Sequence, residues 1–192
     1  QAYVIRTAKE DYFNNYLKLK TVLEQVSRLN VVFTDVDTFT DTDFEKYQQS
    51  LDALSLTITK EYAKGHPVQF NLLTDRMLLK EMNNCGAGDS NITLAPDGKF
   101  YVCPAFYYDD VCDGKEVSLS DVCQKGYAVG SVKDGIDIKN PQLFKLDHAP
   151  LCRKCDAYQC KRCIWLNRRM TLEVNTPSHE QCVMAHIERN VA

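Results

Sequence analysis

Apolar residues open the chain as a short run, Ala2-Tyr3-Val4-Ile5, and then recur at Tyr12, Tyr16, Leu19, Leu23, Val26 and Leu29, spaced as on one face of a helix. The pattern predicts a strand followed by an amphipathic helix. A nearly continuous apolar stretch, NVVFTDV, predicts a second strand. TDTDFEKY then carries Thr42 and Glu45 as a capping box ahead of Phe44, Tyr47, Leu51, Leu54, Ile58 and Tyr62, which predicts a second helix ending at Gly65. PVQFNLL reads as a third strand and TDRMLLKEM as a short third helix, so residues 1–83 form βαβαβα with parallel strands. Three such units cannot close a barrel, and so small a parallel sheet leaves edges and faces uncovered. Further strands are therefore expected upstream, and the start at Gln rather than Met makes the chain an expected piece of a longer protein.

The period changes at Asn84. NITLAPDGKFYVC alternates on either side of Pro96-Asp97-Gly98, where Pro suits the second turn position and Gly can take positive φ, so a hairpin is predicted. Residues 104–150 are irregular, with a short apolar piece YAVGSV and a helical turn at NPQLFKLD. IWLNRRM reads as helical. NTPSHEQCVMAHIERN starts a last helix with Thr176 as N-cap and Pro177 at its first position. The division expected is 1–83 and 84–192, an α+β chain of two parts.

Composition narrows the classes. With 192 residues and 44% hydrophobic content the chain can bury an ordinary core. A net charge of -3 and a pI near 5.8 argue against broad electrostatic binding of nucleic acid, although Arg153, Lys154, Lys161, Arg162, Arg168 and Arg169 make one stretch locally basic. No apolar run approaches the roughly 20 residues of a membrane span, and the first residues lack a signal-peptide plan. A soluble, cytoplasmic protein without membrane partners is expected.

Nine cysteines are an odd number, four of them within LCRKCDAYQCKRC at 151–163. Without a secretory signal, clustered thiols point to metal before disulfides; disulfides are the bland alternative for the scattered Cys112 and Cys123. Thiolate is a soft ligand suited to zinc and to iron-sulfur clusters. Cys152, Cys155, Cys160 and Cys163 run C-x2-C-x4-C-x2-C, which on its own could close one zinc site. That leaves Cys85, Cys103 and Cys182 without work. The full order is Cys85, twelve residues, Gly98, four residues, Cys103, a gap, the quartet, a second gap, and Cys182.

This order resembles the SPASM domain, the C-terminal extension of radical SAM enzymes that mature peptides and proteins, with its pattern C-x(9 to 15)-G-x4-C, gap, C-x2-C-x5-C-x3-C, gap, C. The likeness covers residues 85–182; the quartet departs from it, with x4 and x2 in place of x5 and x3. The resemblance implies two auxiliary four-iron, four-sulfur clusters, one held by Cys152, Cys155, Cys160 and Cys182, the other by Cys85, Cys103 and Cys163. In several relatives the second cluster gains a cysteine six residues before the first, where this chain has Leu79. Either Cys112 or Cys123 replaces it, or one iron stays open to a substrate thiolate. The tail CIWLNRRMTLEVNTPSHEQCVMAHIERN is similar to that of maturases paired with CXXX-repeat peptides, which implies a Cys-rich precursor peptide as substrate and a thioether or related cross-link as product.

On the same likeness residues 1–83 are the last βα units of a partial (β/α) barrel, which makes Asp35, Asp37 and Asn71, near strand ends, weak candidates for contacts, with turn and cap roles the simpler assignment. The C-x3-C-x2-C motif that binds the S-adenosylmethionine-cleaving cluster does not occur in the chain. No catalytic residue is therefore assigned, and the chain is expected to need a missing N-terminal radical SAM region. The competing reading is a zinc-stabilised binding module, for which His179, Cys182 and His186 sit at i, i+3 and i+7 of the last helix; His66 and His148 have less claim. Zinc also enters empty four-cysteine sites in aerobic preparations.

Overall fold

The computed structural model describes residues 1–77, 79–110, 126–160 and 162–192. Its mixed helices and small sheets make the chain α+β. It divides into two compact units, one made of Gln1–Asn83, Cys155–Lys161 and Ser178–Ala192, the other of Asn84–Lys154 and Arg162–Pro177.

In the first unit, β1 (Ala2–Thr7), β2 (Arg28–Phe33) and β3 (Gln69–Phe70) form a parallel sheet in that order, with Ala2 opposite Arg28, Thr7 opposite Phe33 and Leu29 opposite Phe70. The crossovers are α1 (Lys9–Leu23) and α2 (Asp41–Ala63). The first helix is shorter than its apolar spacing suggests. Val26 and Leu29 are buried in step with Leu23, but Leu29 already belongs to β2, so the helical period ran on by coincidence into a strand. The third strand is shorter too. Asn71 Oδ1 accepts from Val31 N at 2.7 Å and its Nδ2 donates to the Val31 carbonyl at 2.9 Å, so a side chain takes over the pairing where backbone would have continued. The expected third helix is only a 3-10 turn at Thr74–Arg76.

The N-terminus of α2 is capped two residues earlier than the sequence suggested, at Thr40. Asp43, not Glu45, reaches back: its Oδ2 accepts from Thr40 N at 3.0 Å and from Thr40 Oγ1 at 2.8 Å. The reason is a tertiary partner, since Lys9 Nζ at the start of α1 lies 2.8 Å from the same oxygen. The Lys9 ammonium, with the Thr40 bonds, holds the Asp43 pKa down to about 2. A depressed carboxylate contributes stability that is present above its unfolded pKa and is lost as pH falls through the folded value. Asp43→Ala is therefore expected to cost about 1 kcal/mol at neutral pH. Urea unfolding at stepped pH should show the wild-type advantage fading between pH 4 and 2.

The core of this unit gathers Leu23, Leu29, Val31, Tyr47, Leu51, Leu54, Val68 and Phe70 with an aromatic group around Phe33, whose ring centroid lies 4.9 Å from Tyr12 and 5.5 Å from Tyr47. It is completed from far along the chain. In α5 (His179–Val191), Met184 is buried in this core, with Val183, Ile187 and Val191 packed against it. Ser178, not Thr176, is the N-cap: its Oγ accepts from Gln181 N at 3.3 Å while Gln181 Oε1 accepts from Ser178 N at 3.0 Å. Pro177 therefore precedes the cap instead of opening the helix. Beneath α5, Arg76 Nη2 lies 2.5 Å from Glu188 Oε2, Tyr47 Oη donates to Glu188 Oε1 at 2.7 Å, and Arg76 Nη1 donates to the Ala185 carbonyl at 3.2 Å. Burial pushes the Glu188 pKa up.

The second unit is built on short hairpins and helices. β4 (Thr93–Leu94) and β5 (Phe100–Tyr101) pair antiparallel around Gly98, whose φ of 77° closes the turn that the sequence located. A second hairpin, β6 (Gly130–Ser131) with β7 (Gly135–Ile136), adjoins it through Val129 N to the Phe100 carbonyl at 2.7 Å. Only the first of these was visible as a pattern, since YAVGSV supplies too few alternating positions. The helical turn at NPQLFKLD is a 3-10 turn, Pro141–Phe144. α3 (Pro104–Asp110) and α4 (Ile164–Thr171) pack on a core of Ala87, Ala95, Tyr101, Val102, Phe106 and Ile164, and Trp165 Nε1 donates to Asp109 Oδ2 at 2.6 Å.

Among the described residues, no helix is long and apolar enough to cross a membrane.

Candidate metal centre

In the second unit, Cys85, Cys103 and Cys163 are neighbours. Cys103 follows β5 directly and precedes α3; Cys163 is the N-cap residue of α4, with its carbonyl accepting from Asn167 N at 2.9 Å. Cys85 leads a tight turn in which the Gly86 carbonyl accepts from the amides of Asp89, Ser90 and Asn91. Gly88, at φ 78°, brings that turn under Phe144, where a Cβ would stand 2.6 Å from the ring. Cys85 and Cys103 pack against the unit's core.

The electrostatics of the three thiols are shared. Burial is the largest effect and pushes both Cys103 and Cys163 upward; the backbone amides of Phe106 and Ala105 pull Cys103 down, as those of Leu166 and Trp165 do Cys163. A Cys85 thiolate raises both of its neighbours, and a Cys163 thiolate raises Cys103. Cys103 and Cys163, which resist ionisation beside Cys85, suit a cation that removes the repulsion.

The first unit holds the other three. Cys155 precedes and Cys160 ends a 3-10 turn, Tyr158–Cys160, anchored by Asn83 N donating to the Tyr158 carbonyl at 2.7 Å. Cys182 is the fourth residue of α5. Burial pushes its pKa up, and Cys160 and Cys155 add to the shift. Ala157 N donates to Cys155 Sγ at 3.4 Å, and His186 Nε2, one turn beyond Cys182 on α5, lies 3.5 Å from the same sulfur.

Cys160 and Cys163, almost adjacent in sequence, thus fall into different groups. Cys152 is buried in the second unit, after a turn in which its amide donates to the Ala149 carbonyl at 3.0 Å. Cys85, Cys103, Cys155, Cys163 and Cys182 are free thiols. Cys112 and Cys123 lie outside the described residues. Among the described residues no three His, Cys, Asp or Glu side chains are gathered tightly enough to hold a metal ion as they stand.

The basic side chains around the cysteines separate by burial. Arg153, Lys154 and Arg169 are exposed and Arg168 is half-buried; Lys161 is outside the described residues. Arg162 differs, at 1% exposure and with a left-handed φ of 47°. Its Nε donates to Asn84 Oδ1 at 3.0 Å and its Nη2 to the Phe144 carbonyl, while Nη1 is buried with no hydrogen-bond partner among the described residues. Burial depresses its pKa, against which Cys152, Cys85 and Asp89 act in that order. Sequence alone could not single it out, because six basic residues looked alike there.

The remaining candidates have structural roles. Asp35 accepts from Lys9 N with both oxygens at 3.1 Å, which caps α1, and Asn71 pairs with Val31 as described. Asp37 lies in the 3-10 turn Val36–Thr38. His66 Nδ1 meets Glu61 at 3.1 Å, the His179 ring packs edge-on to Phe44, and the His148 carbonyl accepts from Asn175.

No protein family's sequence profile matches the chain, and no curated protein matches it.

Proposed function

We propose that the chain is the auxiliary iron-sulfur part of a radical SAM peptide maturase, resembling a SPASM domain that follows the last βα units of a partial barrel. The observation that carries this reading is the sorting of thiols: Cys85, Cys103 and Cys163 belong to one unit, Cys155, Cys160 and Cys182 to the other. Thiolates on a four-iron cluster each bind a different iron, so such a set stands wider than the ligands of one ion. The donors fit: soft sulfurs, amides aimed at two of them, and a buried guanidinium with an unused N–H.

When bound, such clusters supply electron transfer or an iron that accepts a substrate thiolate. The chain's own residues position the sulfurs of Cys103, Cys163 and Cys182 at or near the starts of α3, α4 and α5, where they are half-buried. Cleavage of S-adenosylmethionine belongs to a radical SAM region carrying C-x3-C-x2-C. The substrate is a Cys-rich ribosomal precursor peptide, and the modification a thioether or related cross-link made in the cytoplasm.

A second reading is favoured by one distance. Tetrahedral zinc with Zn–S near 2.3 Å and Zn–N near 2.0–2.1 Å sets S···N at about 3.6 Å, and Cys155 Sγ to His186 Nε2 is 3.5 Å. Cys155, Cys160, Cys182 and His186 would then form a zinc site in a binding module. Metal analysis after strictly anaerobic preparation separates the two. About eight irons with matching sulfide are expected per chain; one or two zincs without sulfide would reject the cluster reading.

A further inference from the structure

We propose that Arg162 is the built-in counter-charge of the metal-sulfur group on Cys85, Cys103 and Cys163, its Nη1 donating a hydrogen bond to sulfur of that group. The inference rests on the iron-sulfur reading above and adds a residue that the cysteine pattern does not contain.

A guanidinium cannot shed its proton in a protein, so at 1% exposure Arg162 carries a permanent buried charge. Burying a charge without compensation is strongly destabilising. Two of its nitrogens are satisfied, by Asn84 and by the Phe144 carbonyl, but both acceptors are neutral and leave the charge unbalanced. Nη1 is buried and has no hydrogen-bond partner among the described residues. Asp89 does not supply one; its carboxylate stands 3.9 Å from Lys145 Nζ. Among the described residues the thiols of Cys152 and then Cys85 also bear on the guanidinium, and its Nε is held by Asn84, the residue next to Cys85.

The backbone reinforces the assignment. Arg162 holds a left-handed conformation that few residues other than glycine adopt, and it does so immediately before the N-cap Cys163. A surface arginine would gain nothing from that conformation. Here it turns the side chain inward while Cys163 starts α4. An anionic metal-sulfur group at the three cysteines would provide what the guanidinium lacks, a negative acceptor in a dry environment, and hydrogen bonds to sulfur are a recognised means of tuning such groups.

The sign of the tuning follows. Reduction adds negative charge to the group, a fixed positive neighbour favours the reduced form, and Arg162 therefore raises the reduction potential. The test uses the full 192-residue chain, reconstituted anaerobically with iron and sulfide, in a Cys182→Ser background that empties the other set. Arg162→Met and Arg162→Gln are expected to shift the reduction equilibrium toward the oxidised form by about tenfold, 59 mV for a one-electron couple. Arg162→Lys should retain part of the effect. The metal-free protein gives a second readout: Arg162→Met should raise its melting temperature, by removing an uncompensated charge, and lower that of the loaded protein.

Unchanged potentials in protein that binds iron and sulfide would overturn the inference alone. Equal loss of melting temperature in loaded and metal-free forms would assign Arg162 a packing role and overturn it as well. Failure of the parent chain to bind iron and sulfide would overturn the iron-sulfur reading together with it.

Discussion

Cys160→Ser and Cys163→Ser are expected to empty different halves of the bound iron, although the two residues are separated only by Lys161 and Arg162. Each variant should keep about four of about eight irons. The pairings decide the assignment. Cys160→Ser combined with Cys182→Ser should lose no more than either alone, because both belong to the group on the first unit. Cys160→Ser combined with Cys163→Ser should lose nearly all, since Cys163 stands with Cys85 and Cys103. Iron and sulfide content with low-temperature EPR of the reduced protein provides the measurement. Equal losses in the two double variants would mean that the quartet binds as one site, and the iron-sulfur reading would fall with that result.

The largest effect on stability is expected at Arg76. Its guanidinium is the counter-charge of Glu188, which also accepts from Tyr47, and all three are buried or nearly so. Arg76→Met leaves the carboxylate without its partner, a change that costs about 3–5 kcal/mol for buried pairs. The double variant Arg76→Met with Glu188→Leu should regain most of the loss, because neither charge remains. The pH dependence carries a sign of its own. Burial raises Glu188 above its ordinary carboxyl value, so its folded state keeps a proton longer than the unfolded chain does. The stability linked to that group is therefore full below about pH 4.5 and declines as pH rises through the folded pKa. Without Arg76, which pulls the value down, the decline should extend to higher pH. Urea unfolding of the variant at pH 4.5 and 8 measures it; a penalty independent of pH would show that lost packing, not charge, is responsible.

The elements that the sequence revealed are those whose period is long enough to read. α2 shows its face through six apolar positions, and β1 and β2 through continuous runs. The errors share one physical cause, a partner distant in sequence. The cap of α2 sits at Asp43 because Lys9 binds there; the third strand stops because Asn71 turns back to Val31; the expected third helix gives way to a turn where Arg76 reaches α5 and Asp75 reaches Arg28 at 2.6 Å. Asn83 and Asn84 belong to different units, at the point where the period of the sequence changes. That residues 155–161 and 178–192 fold with the first unit was not legible, because it rests on contacts such as Tyr47 to Glu188, 141 positions apart.

At the site, the sequence pointed to the seven thiols and to the turn glycine Gly98, which takes φ 77°. Two things lay beyond it. Arg162 is distinguished from its basic neighbours only by burial, and His186 is drawn toward the sulfurs only by the placing of α5 beside Cys155.

The late arrival of α5 has a consequence for biosynthesis. The sheet and first two helices emerge from the ribosome about a hundred residues before Met184, and at 5–20 residues per second they wait about 5–20 s for the segment that seals their apolar face. During that interval the nascent chain exposes the apolar face that Met184 later covers, a surface open to aggregation until α5 is made.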